Sequence, residues 1–127
     1  MNRRFVLMGE CSYQNAYEIT SKNLDLFKEA TAIYVQSDIM TTGVVNALQQ
    51  HGIRIPEDIS VVGTDGYELG VVSNPQFDSV AHPISELADL AISRLIEKLC
   101  RTKPQSPMQI ILRPYIVERS SVKRIEV

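Results

Sequence analysis

Three carboxylates stand just past three short apolar runs. Glu10 follows Phe5-Val6-Leu7-Met8 and Gly9. Asp38 follows Ala32-Ile33-Tyr34-Val35 across Gln36 and Ser37. Asp65 follows Ile59-Ser60-Val61-Val62-Gly63 and Thr64. The hydroxyls of Ser12, Ser37 and Thr64 lie beside them. A carboxylate at a strand end can accept hydrogen bonds from a polyhydroxylated ligand, a sugar or a nucleoside, whose hydroxyl pairs match its two oxygens. The same set can hold Mg²⁺ for phosphoryl transfer. Each acid also has a plain structural role. Asp38 lies in the first turn of an expected helix, where negative charge is favourable with no ligand present. Glu10 precedes a helix start. Asp65, followed by Gly66, can cap its own turn.

The enzyme alternative lacks supporting residues. No lysine or arginine follows a strand end to hold a phosphate, and there is no glycine-rich phosphate loop. His82, before Pro83, has no partnered nucleophile, and His51 before Gly52 fits a helix C-terminus. Cys11 and Cys100 have no metal-like spacing and read as free thiols. No cofactor and no metal are expected.

Positioning these groups requires alternating strands and helices. Phe5–Met8, Ala32–Val35 and Ile59–Gly63 read as strands, the first two buried on both faces. Ser12 caps a helix whose stripe is Ala16, Tyr17, Thr20, Leu24 and Phe27. Ser37 caps a second, with Met40, Val44, Ala47 and Leu48 facing inward and Gly52 closing it. Thr64–Gln76 shows no helical stripe. Phe77–Ala81 is a shorter fourth strand. From Pro83 a long helix carries Leu87, Ala88, Ala91, Ile92, Leu95, Ile96 and Leu99 on one wide face. A loop at Arg101–Pro107 leads to a final extended segment, Ile110–Leu112 and Tyr115–Val117, interrupted by Pro114 as at a sheet edge. This order predicts an α/β fold: an open, mostly parallel sheet with helices on both faces. Its ligand edge is the carboxyl end of the strands.

With 127 residues the chain suits one domain, 44% apolar and 22% charged, with net charge −2. No global field draws it to nucleic acid or an anionic membrane. No apolar run spans a bilayer, and no signal peptide is visible, which points to the cytoplasm.

Thr31–Gly43, reading TAIYVQSDIMTTG, resembles the T-A-I-x-x-x-N-D-x-M-A-x-G segment of the lactose-repressor (LacI/GalR) family of transcriptional regulators. Gly52–Asp65, reading GIRIPEDISVVGTD, is similar to that family's G-x-x-V-P-x-D-I-S-V-V-G-F-D. Val80–Ile84 resembles its V-x-Q-P, and Leu112–Ser121 its closing L-x-P-x-L-V-x-R-x-S. The likeness runs from about Gly9 to Ser121 in unbroken order. It implies an incomplete C-terminal effector-binding subdomain of the periplasmic-binding-protein-like type I fold. Residues 1–82 would be its core, 83–109 a crossover helix and loop, 110–121 a final strand and 122–127 a tail. The long helix and the final strand would contact an N-terminal subdomain that the chain lacks. It further implies a homodimer, a sugar or related small molecule as effector, and DNA contact only through an absent helix-turn-helix headpiece, so that the chain alone would not bind operator DNA. A transport protein for sugars shares the fold and is the other binding alternative.

The resemblance places Asp65 at the family's ligand-binding aspartate. Ser37 stands for the usual asparagine, with shorter reach. Cys11 stands where many members stack an aromatic on the effector, and Thr64 replaces a common aromatic. The implied effector-binding set is Asp65, Ser37, Cys11, Glu10 and Thr64.

Overall fold

The computed structural model describes residues 3–66, 68–100 and 107–125. The loop expected at 101–107 falls, but for Pro107, outside them. The elements in order are α1 (Tyr13–Lys22), α2 (Leu24–Glu29), β1 (Ala32–Tyr34), α3 (Asp38–Gln50), β2 (Ser60–Asp65), α4 (Leu69–Val72), β3 (Asp78–Ala81), α5 (Ile84–Cys100) and β4 (Tyr115–Val117), after a single 3₁₀ turn at Arg3–Phe5. The chain divides into two compact units, residues 1–81 with 116–127, and residues 82–115.

The sheet order is β1-β2-β3-β4. β1 runs parallel to β2, with Tyr34 opposite Val62, and β2 runs parallel to β3, with Asp65 opposite Ala81. The carboxyl ends of β1, β2 and β3 therefore share one edge, as the element order predicts.

Local signals placed the helices well. Ser12 Oγ accepts from Asn15 N at 3.4 Å and Ser37 Oγ from Met40 N at 3.3 Å, so both serines are N-caps. Gly52 follows α3 at φ 76°, a backbone conformation glycine adopts freely. The His51 ring Nδ1 lies 2.8 Å from the Ala47 carbonyl oxygen and donates to it, holding the C-terminal turn.

Helices α1 and α3 pack along each other. Asn46 Nδ2 donates to the Tyr13 hydroxyl at 3.0 Å, and the Tyr17 hydroxyl donates to Gln50. Both pairs advance four residues along each helix, so the two helices run in the same direction. Gly43 makes the close approach possible, since a Cβ there would sit 2.5 Å from the Tyr13 carbonyl oxygen. Val44, Val45, Leu48, Ile59, Val61 and Phe77 form the core between α3 and the sheet, joined by Ala16 and Phe27.

Five expectations differ. Phe5–Met8 is not a strand; Val6, Leu7 and Met8 are exposed. A strand exists only through a ladder partner, and the sheet begins at β1. For the same reason β1 is not buried on both faces: Ala32 and Tyr34 are exposed. The closing strand is only Tyr115–Val117; Ile110–Leu112 is irregular and largely exposed. The short helix α4 lies in Thr64–Gln76, where no helical stripe was read, and the stripe from Ala16 to Phe27 is shared between two helices, α1 and α2, that meet at Asn23.

In the second unit α5 buries none of its residues. Leu87, Ile92, Leu95, Ile96 and Leu99 are all more than half exposed. The apolar face foreseen from periodicity is real, and it faces solvent. No helix among the described residues is long and apolar enough to cross a membrane.

The connection into β2 is shaped by one ion pair. Asp58 Oδ2 accepts from Arg54 N at 2.8 Å and Asp58 Oδ1 from Arg54 Nη2 at 2.6 Å. The Arg54 guanidinium beside it holds the Asp58 carboxyl at about 2, below its ordinary 3.8. A lowered folded value means stability that is present above 3.8 and lost as pH falls through about 2. Acid titration of unfolding should show a modest loss in that window, because the pair is exposed. Asp58→Asn should flatten that limb; an unchanged acid profile would contradict the assignment.

Candidate functional site

The shared strand edge also receives two helix N-termini. α3 starts just past β1, and α1 runs parallel to it. The loop before α1 reaches the first turn of α3, where a Cβ on Gly9 would lie 3.2 Å from the Met40 sulfur. Glu10, Cys11, Ser12, Ser37, Asp38 and Asp65 thus gather at one end of this unit.

Asp65 is the last residue of β2 and has φ 116°. A non-glycine residue in that region costs about 1–3 kcal/mol and persists only where its surroundings demand it. Here the demand is visible. Asp65 Oδ2 accepts from the backbone N–H of Asp38 at 3.3 Å, at the N-terminus of α3. The helix dipole favours a carboxylate there. Asp65 is half-buried, and its Oδ1 has no hydrogen-bond partner among the described residues. The expectation of two free oxygens therefore narrows to one.

Gly66 continues the turn at φ 79°. Its N–H donates to Ser79 Oγ at 3.1 Å, and Ser79 Oγ donates to Asp38 Oδ1 at 2.8 Å. Asp38 and Ser79 are both fully buried. The Asp38 carboxylate is turned into the protein, where it organises the turn that carries Asp65. Among the described residues no three histidine, cysteine or acidic groups lie close enough to hold one metal ion.

Ser37 is half-buried, and its oxygen accepts the capping bond from Met40 N. No described residue claims its hydroxyl proton, which leaves it available as a donor beside Asp65. Thr64 differs. Its Oγ1 lies 2.8 Å from the Tyr34 hydroxyl and 3.0 Å from the Val35 carbonyl oxygen. With a single proton it donates to the carbonyl and accepts from the tyrosine, tying β1 to β2.

Glu10 and Cys11 both have φ 51° and form the turn closed by Ser12 N donating to Gly9 O at 3.2 Å. Both are exposed, and the Glu10 carboxylate accepts from Asn15 Nδ2 at 3.0 Å. His82, at the start of the second unit, is exposed.

Sequence reasoning missed Ser79 and its neighbour Asp78. Their signal was faint: two adjacent polar residues inside the expected strand Phe77–Ala81 put one on each face of the sheet, and a polar group that is buried there needs a partner.

A family model described as a periplasmic binding protein-like domain matches residues 4–122. The HTH-type transcriptional repressor PurR of Vibrio cholerae serotype O1 (strain M66-2) is 33% identical over 123 residues, covering 97% of this chain and 36% of that protein. The LacI family transcriptional regulator of Arthrobacter sp. FB24, solved in complex with lactose, matches with a TM-score of 0.80 at 29% identity, over 91% of this chain and 44% of that one. The LacI family transcriptional regulator of Enterococcus faecium, solved with bound ribose, matches with a TM-score of 0.80 at 27% identity, over 91% of this chain and 42% of that one. The chain thus spans a little over a third of the length of curated relatives it matches.

Proposed function

The chain belongs to the periplasmic binding protein-like domain family, and from that premise we propose that it is the effector-binding region of a LacI-type transcriptional regulator whose effector is a sugar or related polyol. The observation that carries the reading is Asp65: a carboxylate at the carboxyl end of a parallel strand, held in a strained conformation with one oxygen unclaimed among the described residues. Such a group accepts a ligand hydroxyl. Ser37 beside it supplies a donor for a second ligand oxygen. An acceptor and a donor side by side match the hydroxyl pairs of a sugar. The Glu10–Cys11 turn lies at the same end and forms a rim of the site.

In the regulator this edge forms one wall of a cleft between two subdomains. Ligand bound there favours one relative arrangement of the subdomains. The shift in DNA affinity equals the difference between the ligand's affinities for the two arrangements. DNA contact belongs to a headpiece outside this chain, the working unit is a homodimer, and the site of action is the cytoplasm.

The test is a titration of the isotope-labelled protein with lactose and, separately, with D-ribose, read on the backbone amide resonances. The amides of Ser37, Asp38, Asp65 and Gly66 should move together and saturate with one of the two sugars. Shifts confined to residues away from this edge, or none with either sugar, would remove the reading.

A further inference from the structure

Ser79 sits fully buried in β3, opposite Gly63 of β2. Its Oγ lies 2.8 Å from Asp38 Oδ1 and 3.1 Å from the Gly66 nitrogen. A hydroxyl has one proton and two lone pairs. The carboxylate can only accept and the amide can only donate. The proton must therefore point at Asp38, while the Gly66 N–H points at the Ser79 oxygen. The arrangement has no second solution within this set.

The turn at Asp65-Gly66 is consequently pinned from two sides. The Asp65 side chain is held by the Asp38 backbone N–H, and the next peptide is held by Ser79. Asp38 belongs to both connections, through its backbone nitrogen and its carboxylate. Gly66 adopts φ 79° freely, whereas Asp65 at φ 116° is strained and is held by these bonds together with its ladder pairing to Ala81.

We propose that Ser79 is a positioning residue for ligand recognition: through Gly66 and Asp38 it fixes Asp65 so that Oδ2 faces α3 and Oδ1 alone meets the ligand. This rests on the reading of Asp65 given above. Its consequence for specificity is that the carboxylate engages one ligand hydroxyl through one oxygen, and does not grip a vicinal pair with both. Ser79 touches no ligand itself.

Ser79→Ala, Ser79→Cys and Ser79→Thr separate this role from mere packing. Cysteine keeps the volume while donating weakly; threonine keeps the hydroxyl. Three readouts apply: hydrogen exchange of the Gly66 amide against that of Val61, the Asp65 carboxyl carbon resonance, and the dissociation constant for lactose or D-ribose. In Ser79→Ala and Ser79→Cys the Gly66 amide should exchange faster while Val61 is unchanged. The Asp65 carboxyl resonance should shift, and sugar affinity should fall about fivefold, the scale of one lost hydrogen bond. Ser79→Thr should restore all three. Unchanged Gly66 exchange and an unmoved Asp65 resonance in both Ala and Cys variants would overturn the proposal. So would equal loss in the Thr variant. These two readouts need no ligand, so failure of the Ser79 positioning is distinguished from failure of the reading of Asp65 as an effector residue, which only the sugar titration reports.

Discussion

Replacing Asp78 by alanine is expected to cost about 2–5 kcal/mol, because it removes the acceptor on which several donors converge. Asp78 is almost fully buried at the start of β3. Its Oδ1 accepts from Arg119 N at 3.0 Å, and its Oδ2 accepts from Ser121 N at 2.8 Å and lies 2.9 Å from Ser121 Oγ. The Asp78 N–H in turn donates to Ser121 Oγ at 2.7 Å. Ser121 Oγ also lies against the Val61 carbonyl, and the Ser121 carbonyl accepts from Val61 N at 2.9 Å. The Arg119 guanidinium donates to the Phe77 carbonyl at 2.8 Å. The carboxylate thus ties the segment at Arg119–Ser121 to β3, and Ser121 itself ties that segment to β2. Alanine would leave the buried Ser121 N–H and the half-buried Arg119 N–H without acceptors, at about 1–3 kcal/mol each. Against a typical total of about 5–15 kcal/mol, that is enough to unfold a marginal domain. Denaturant unfolding measures it, with Asp25→Ala as the control: the Asp25 side chain is 96% exposed, and its loss should change stability by no more than about 0.5 kcal/mol. A midpoint for Asp78→Ala equal to the control's would refute the clamp.

Gly66→Ala is the second large effect, about 3 kcal/mol, and it falls on the site as well as on stability. At φ 79° an alanine is strained by roughly 1–2 kcal/mol whatever the space. There is also no space: a Cβ would overlap that of Ala81 and come within 2.8 Å of the Ala81 Cα. Those atoms belong to a neighbouring strand, so the turn must move, at about 1–3 kcal/mol more. Moving it pulls the Gly66 amide from Ser79 and swings Asp65. The expected signature is a lower unfolding midpoint together with shifted amide resonances at Asp38, Asp65 and Ser79. A variant with the parent's midpoint and spectrum would show that the turn is not confined as described.

Local chemistry was legible in the sequence. The caps at Ser12 and Ser37, the stop at Gly52 and the start after Pro83 depend on residues within one turn of each other. The parallel order followed from alternation. Burial was less legible, because periodicity says which face is able to be covered and not whether anything covers it. Phe5–Met8, β1 and the apolar face of α5 all carry patterns suited to burial, yet each is exposed in this chain. The acids show the same limit at the site. Asp38 and Asp65 occupy comparable places after strands, and nothing in residue type says that one turns inward to Ser79 while the other keeps an oxygen without a partner among the described residues. That depends on Ser79, 41 residues from Asp38 in sequence. The clamp at Asp78, Arg119 and Ser121 was equally distant. Its trace in the sequence was the closing R-x-S, which now has a physical reason: Arg119 holds the Phe77 carbonyl and Ser121 meets Asp78.

Asp65 Oδ1 has no partner among the described residues, and the proposed function rests on its meeting a ligand hydroxyl. The most direct measurement is therefore the dissociation constant for lactose and for D-ribose, compared between the parent protein and Asp65→Asn. Asparagine tolerates positive φ and keeps the shape, so the fold should survive with a similar unfolding midpoint. Replacing a charged acceptor by a neutral amide should remove about 1.5–3 kcal/mol of binding, at least a tenfold loss for the sugar that binds. Equal affinity in parent and variant, with the fold intact in both, would contradict the assignment of Asp65 as the ligand-hydroxyl acceptor.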